Sequence, residues 1–190
     1  MNLPNKLTVL RVLFIPAVMV CILWDAIPYR WLLGGICFGL ASLTDMLDGR
    51  IARSRNLITD FSKLMDPVAD KMLVMSTLVC FVQAEICGAW VVAIILFREF
   101  LVTSMRMVAV DKGLVISANL WGKVKTVTQM VAIVGIFCAE ALYEFDFLIP
   151  RAAGDVLLGV SMVILYAAVI ATIASGAVYV YDCRDLFKDM

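Results

Sequence analysis

Residues 44–71 read TDMLDGRIARSRNLITDFSKLMDPVADK and set four aspartates, Asp45, Asp48, Asp66 and Asp70, inside a strongly apolar chain. Asp45 and Asp48 are three residues apart and Asp66 and Asp70 four, so each pair shares one face of a helix. An ionisable residue within a membrane span is costly and marks a functional site by default. Four carboxylates converging on one place repel one another unless a cation sits among them. The simplest chemistry is a set of hard oxygen ligands for Mg²⁺ or Mn²⁺. Ser62 extends the second pair into an i, i+4, i+8 row with Asp66 and Asp70. Gly49 and Ala52, beside the first pair, present almost no side chain. They leave room either for a flat ligand against the backbone or for a closely packed neighbouring helix.

Composition surrounds this run with lipid-compatible sequence. Of the 190 residues, 63% are hydrophobic and 17% charged, with a mean hydropathy of +0.97, unlike any ordinary soluble domain. The formal net charge is +0, which argues against nucleic acid as a partner. Histidine is absent, so His nucleophile triads, His general bases and His metal ligands are all excluded. Six scattered cysteines without a CxxC pair read as small buried hydrophobes, not as ligands or disulfides. The N-terminal MNLPNKLTVLR lacks a signal-peptide layout, because Arg11 interrupts its apolar stretch.

Six apolar segments are predicted: Leu7–Trp24, Trp31–Arg53, Lys63–Gln83, Ala89–Val110, Leu120–Tyr143 and Asp155–Tyr181. Each is long enough to approach or cross ~30 Å of hydrocarbon as a helix. The connections are DAIPYR, AEICGA, DKGLVISAN and EFDFLIPRAAGD, besides the loop inside the aspartate run. The expected fold is an all-α integral membrane protein of six transmembrane helices, forming one membrane-embedded domain over residues 1–190. Lys and Arg concentrate on one side: Lys6, Arg50, Arg53, Arg55, Lys63 and Lys112 among others, against only Arg30 and Arg151 opposite. By the positive-inside rule both termini are cytoplasmic, in the cell (plasma) membrane, and the aspartates face the cytoplasm.

Basic residues point to a second part of the site. Arg98 and Arg106 are eight apart within the fourth segment, and Lys123 and Lys125 open the fifth. Intramembrane arginines need partners. Glu99 is an imperfect one for Arg98, since neighbours in sequence do not face each other on a helix. A phosphate on a substrate would satisfy the cluster, with arginine favoured for its fork geometry. Snorkelling, or pairing with the aspartates, is the plainer alternative.

The aspartate run resembles the signature of the CDP-alcohol phosphatidyltransferase family, D-x2-D-G-x2-A-R-x8-G-x3-D-x3-D. Asp45, Asp48, Gly49, Ala52, Arg53, Asp66 and Asp70 fall on it in register; Ser62 stands where the family has its second glycine. The stretches NLPNKLTVLR, FREFLVTSMR, ISAN and WGKVKTVTQM look like those of the bacterial phosphatidylglycerophosphate synthases within it. The resemblance implies six transmembrane helices in the CDP-alcohol phosphotransferase fold, usually as a homodimer. It implies transfer of the phosphatidyl group from CDP-diacylglycerol to sn-glycerol 3-phosphate, giving phosphatidylglycerophosphate and CMP. Carried over by position, Asp45, Asp48, Asp66 and Asp70 hold Mg²⁺ or Mn²⁺ at the diphosphate, and Asp70 is also the general base. Asp48, Gly49, Ala52, Arg53 and Ser62 meet the CDP-lipid, and Asn5, Thr8 and Arg11 help to hold it. Arg98, Arg106, Lys123 and Lys125 would bind the acceptor phosphate.

Two other readings compete. A family member with a different acceptor, of the cardiolipin, phosphatidylserine or inositol-phosphate type, would keep the aspartates and change the basic cluster. A cation transporter would explain the four acids but not Gly49, Ala52 and the spacing, and it expects an internal repeat that the chain lacks.

Overall fold

The structure, a computed structural model, describes residues 3–55, 60–111, 120–145, 150–182 and 184. Within the helices, side chains are described except at 3–8, 45–55, 60–67, 70, 110–111, 120–121 and 182. Six helices follow one another: α1 (Leu3–Leu23), α2 (Arg30–Arg55), α3 (Asp60–Gln83), α4 (Ala89–Asp111), α5 (Leu120–Glu144) and α6 (Arg151–Asp182). No strand occurs among the described residues. Each predicted apolar segment is one of these helices.

The differences lie at the ends. The α1 helix begins at Leu3, with Pro4 in its first turn, where a missing N–H costs nothing. The stretch RAAGD is the first turn of α6 and not part of a connection. Pro150 precedes that turn, and its carbonyl accepts from Ala153 N at 2.9 Å. Gly154 serves packing there. A Cβ on it would lie 2.7 Å from Cε1 of Tyr143, whose hydroxyl donates to Asp155 Oδ1 at 2.7 Å.

The chain divides into two compact units, one of Met1–Cys87 with Val134–Leu158, the other of Gly88–Ile133 with Gly159–Met190. In the first unit α1 packs against both α2 and α3. The Phe137 ring of α5 lies at its centre, with centroids 5.3 Å from Phe81, 5.7 Å from Phe38 and 6.2 Å from Trp31. Gly34 and Gly35 make this approach possible, since a Cβ on either would sit 3.1 Å from Phe137. The α2 helix has no acid in its own first turn, and α5 supplies one. Glu144 accepts from the backbone N–H of Trp31 at 3.0 Å and of Leu32 at 3.4 Å, satisfying donors that a helix start leaves open. The α3 helix ends on Glu85 at φ 59°, with Ile86 N bonding back to Phe81 O at 2.9 Å. This is a left-handed cap, occupied here by a residue that carries a Cβ.

The second unit holds α4, the opening turns of α5 and the later turns of α6. Tyr179 packs with Val102, Met105 and Ala109, and Trp90 stacks on Tyr166 at 5.8 Å between centroids.

Among the described residues two helical stretches, Gly122–Glu144 and Arg151–Tyr181, are long and apolar enough to cross a membrane. Leu13, Phe97, Phe100, Val163 and Ile170 lie more than three-fifths exposed, an outer surface suited to hydrocarbon and not to water. The five described cysteines are free thiols. Cys80 and Cys87 are buried as expected, and burial pushes the Cys87 thiol above its usual range, whereas Cys138 is exposed. Cys183 lies outside the described residues.

Candidate active site

Two neighbouring helices carry the signature. Asp45, Asp48, Gly49, Ala52 and Arg53 occupy the final turns of α2, and Ser62, Asp66 and Asp70 the first half of α3. Both runs are helical, so the i, i+3 and i, i+4 spacings of the carboxylates are real helical spacings, about 4.5–6 Å along each axis. The side chains of these eight residues lie outside the described ones, as do those of Asn5 and Thr8 in the first turns of α1. The donor set at these positions is oxygen only, four carboxylates in a chain without histidine, and it suits a hard divalent cation. Among the described residues no other group of three or more His, Cys, Asp or Glu could hold a metal.

Arg11, on the helix that packs against both α2 and α3, is fully buried. A guanidinium without solvent is stable only where polar or anionic groups surround it.

The basic cluster is described in detail and lies wholly in the second unit. Arg98, Arg106, Lys123 and Tyr179 line a cavity of about 530 Å³ together with Gly122 and Thr126. Helices α4, α5 and α6 each contribute to it. The Arg98 side chain runs between two glycines: a Cβ on Gly176 would lie 3.4 Å from its Cγ, and one on Gly122 3.5 Å from Nη2. Its Nε and Nη2 both donate to Ser175 Oγ, at 3.1 and 2.5 Å, and its Nη1 to Glu99 Oε1 at 3.2 Å. Arg106 donates through Nε to the Tyr179 hydroxyl at 2.8 Å, with its Cζ 5.5 Å from the centre of that ring.

Lys125 takes a different place from the other three cations. It is buried, donates to Glu99 Oε1, and is absent from the cavity wall. Glu99 therefore meets both Lys125 and Arg98. Its carboxylate reaches its sequence neighbour because Lys125, on the next helix, draws it to the interior.

Sequence reasoning passed over Ser175 and Tyr179. The available signal was weak: Ser175 and Tyr179 are four apart on one face of the final helix, among other hydroxyl residues such as Ser161, Tyr166 and Thr172. From sequence alone Glu99 reads as an imperfect partner for Arg98, because its partner on α5 is distant in sequence.

Helical among its described residues, and with the signature spacing carried on α2 and α3, the chain matches the family model "CDP-alcohol phosphatidyltransferase" over residues 1–174 and belongs to that family. Particular relatives narrow the likeness. The chain is 38% identical over 189 residues to CDP-diacylglycerol–glycerol-3-phosphate 3-phosphatidyltransferase of Bacillus subtilis (strain 168), covering 94% of this chain and 93% of that one. It is 32% identical over 189 residues to the protein of the same name from Rickettsia bellii (strain RML369-C), covering 98% and 97%. It is also 32% identical over 185 residues to a probable phosphatidylglycerophosphate synthase of Mycobacterium tuberculosis (strain CDC 1551 / Oshkosh), covering 94% and 80%.

Proposed function

We propose that this chain transfers the phosphatidyl group of CDP-diacylglycerol to sn-glycerol 3-phosphate, releasing CMP and forming phosphatidylglycerophosphate. The observation that carries the choice of acceptor is the cavity walled by Arg98, Arg106 and Lys123. Three cations around one small space suit a doubly charged phosphate monoester far better than a neutral alcohol such as inositol or diacylglycerol. The relatives' names point to the same acceptor.

In this reading Asp45, Asp48, Asp66 and Asp70 hold Mg²⁺ or Mn²⁺, which when bound neutralises the diphosphate and eases the departure of CMP. The chain's own groups do the rest. Gly49 and Ala52 leave space for the cytidine against α2, with Arg53 and Ser62 beside it and Asn5, Thr8 and Arg11 contributed by α1. The basic cavity holds the acceptor by its phosphate, which leaves the free primary hydroxyl to attack. Asp70 takes the proton of that hydroxyl as its oxygen bonds to the lipid-linked phosphorus and the bond from that phosphorus to the CMP oxygen breaks. No protein nucleophile is required.

The same proposal covers the setting: one domain of six membrane-crossing helices in the plasma membrane, both termini and the aspartates on the cytoplasmic side, working as a homodimer. The exposed apolar faces and the lysine and arginine asymmetry support it. The deciding experiment measures CMP release from CDP-diacylglycerol by purified protein with a panel of acceptors and a divalent cation. Release with glycerol 3-phosphate alone is the expected result. Release with serine, inositol 1-phosphate or phosphatidylglycerol would overturn the acceptor. Cation flux across sealed vesicles without CMP release would overturn the reaction.

A further inference from the structure

We infer that the last helix completes the acceptor site, with Ser175 and Tyr179 as positioning residues that aim Arg98 and Arg106 and with the Tyr179 hydroxyl as an additional donor to the acceptor phosphate. The inference rests on the acceptor reading proposed above and adds to it residues from a helix beyond the recognised signature.

Donor counting is the first argument. A guanidinium has five N–H groups. In Arg98, Ser175 Oγ engages the Nε–H and one hydrogen of Nη2, and Glu99 engages one hydrogen of Nη1. One N–H on each terminal nitrogen is left, and Arg98 lines the cavity. Among the described residues Arg106 is held only by Tyr179, through Nε–H, so both its terminal nitrogens stay available in the same cavity. The two arginines are thus tethered from behind through Nε and keep donors on their terminal nitrogens, the pair that grips a phosphate in a fork.

Rigidity is the second. Ser175 is 1% exposed and Tyr179 3%, and the Tyr179 ring is fixed against Val102, Met105 and Ala109 on α4. A long arginine side chain tethered to such an anchor gives up its rotamer freedom before the ligand arrives. Ser175 and Tyr179 are four residues apart on one face of α6, and each holds one of the two arginines spaced eight apart along α4.

The Tyr179 proton is the third. Its oxygen already accepts from Arg106, and no acceptor for its own proton is found among the described residues. Tyr179 is also on the cavity wall, so that proton is available to a phosphate oxygen.

The test is steady-state kinetics on Tyr179→Phe, Ser175→Ala and Ser175→Thr, with Arg106→Gln as reference. Tyr179→Phe keeps the ring and removes only the hydroxyl. It is expected to raise the KM for glycerol 3-phosphate about tenfold, the effect of one charge-assisted hydrogen bond. Its kcat and its KM for CDP-diacylglycerol should stay within about twofold, which also certifies the fold. Ser175→Ala should behave alike, and Ser175→Thr, which restores the hydroxyl, should recover most of the loss. The serine variants carry the test by themselves if the tyrosine variant does not fold. An acceptor KM unchanged in Tyr179→Phe and Ser175→Ala, while Arg106→Gln raises it about a hundredfold, overturns this inference alone. An acceptor KM unchanged in Arg106→Gln as well overturns the acceptor reading beneath it.

Discussion

Lys125 and Glu99 form an ion pair in which both side chains are largely withdrawn from solvent. A pair of this kind adds little net stability, but removing one member strands a charge in a low-dielectric interior. Glu99→Gln should therefore destabilise the protein by about 3 kcal/mol, and adding Lys125→Met should recover only part of that loss, since Arg98 has lost the same carboxylate. Thermal unfolding of the single and double variants in one detergent measures both effects. At the aspartates the expected changes are catalytic. Asp70→Asn retains shape and hydrogen bonding but not basicity, and should lower CMP release by about two to four orders of magnitude. Ser62→Gly restores the family residue and should alter CDP-lipid KM a few-fold at most; a large gain in kcat would make the serine an obstacle in the site. Residue by residue, the chain was legible where chemistry depends on local spacing. The helical placement of the four aspartates, Gly49 and Ala52 on α2 and α3 follows from local sequence alone. The hydroxyl partners of Arg98 and Arg106 lie more than seventy residues away, and only the folded chain brings Ser175 and Tyr179 to them.

Among the helices, the existence and order of all six follow from apolar runs bounded by turn residues, and their ends depend on finer chemistry. The RAAGD stretch reads as loop because it holds a glycine and two charges. It is helical because Pro150 sets the first turn and because Gly154 is needed against the Tyr143 ring. The end of α3 carries a local cost, Glu85 in the left-handed region. Glu85→Gly should remove it and stabilise the protein by roughly 0.5–1 kcal/mol, seen as a higher melting temperature with unchanged turnover. The start of α2 relies on a carboxylate from α5. Glu144→Gln keeps a hydrogen-bond acceptor but loses the charge facing the helix N-terminus, for a predicted loss of about 0.5–1 kcal/mol. No periodicity within α2 announces that cap, since its donor and acceptor are 113 residues apart.

For the whole molecule, division of labour between the two units shapes what experiment should see. The carboxylate helices belong to the first unit and the basic cavity to the second, so on the proposed assignment of the aspartates to the CDP-lipid and the cavity to the acceptor, the two sets of kinetic parameters should separate under mutation. Chelation of divalent cations should abolish turnover, and Mg²⁺ or Mn²⁺ should restore it, without a change in the helical content measured by circular dichroism. The cavity of Arg98, Arg106 and Lys123 has one further consequence, which concerns the ionisation of the ligand. A phosphate monoester gives up its second proton near pH 6. Acceptor capture should therefore weaken as the medium becomes more acidic through pH 6, and again as added salt screens the cavity. On the proposed reading, acidity would then reach the transfer reaction through the charge of the substrate's own phosphate.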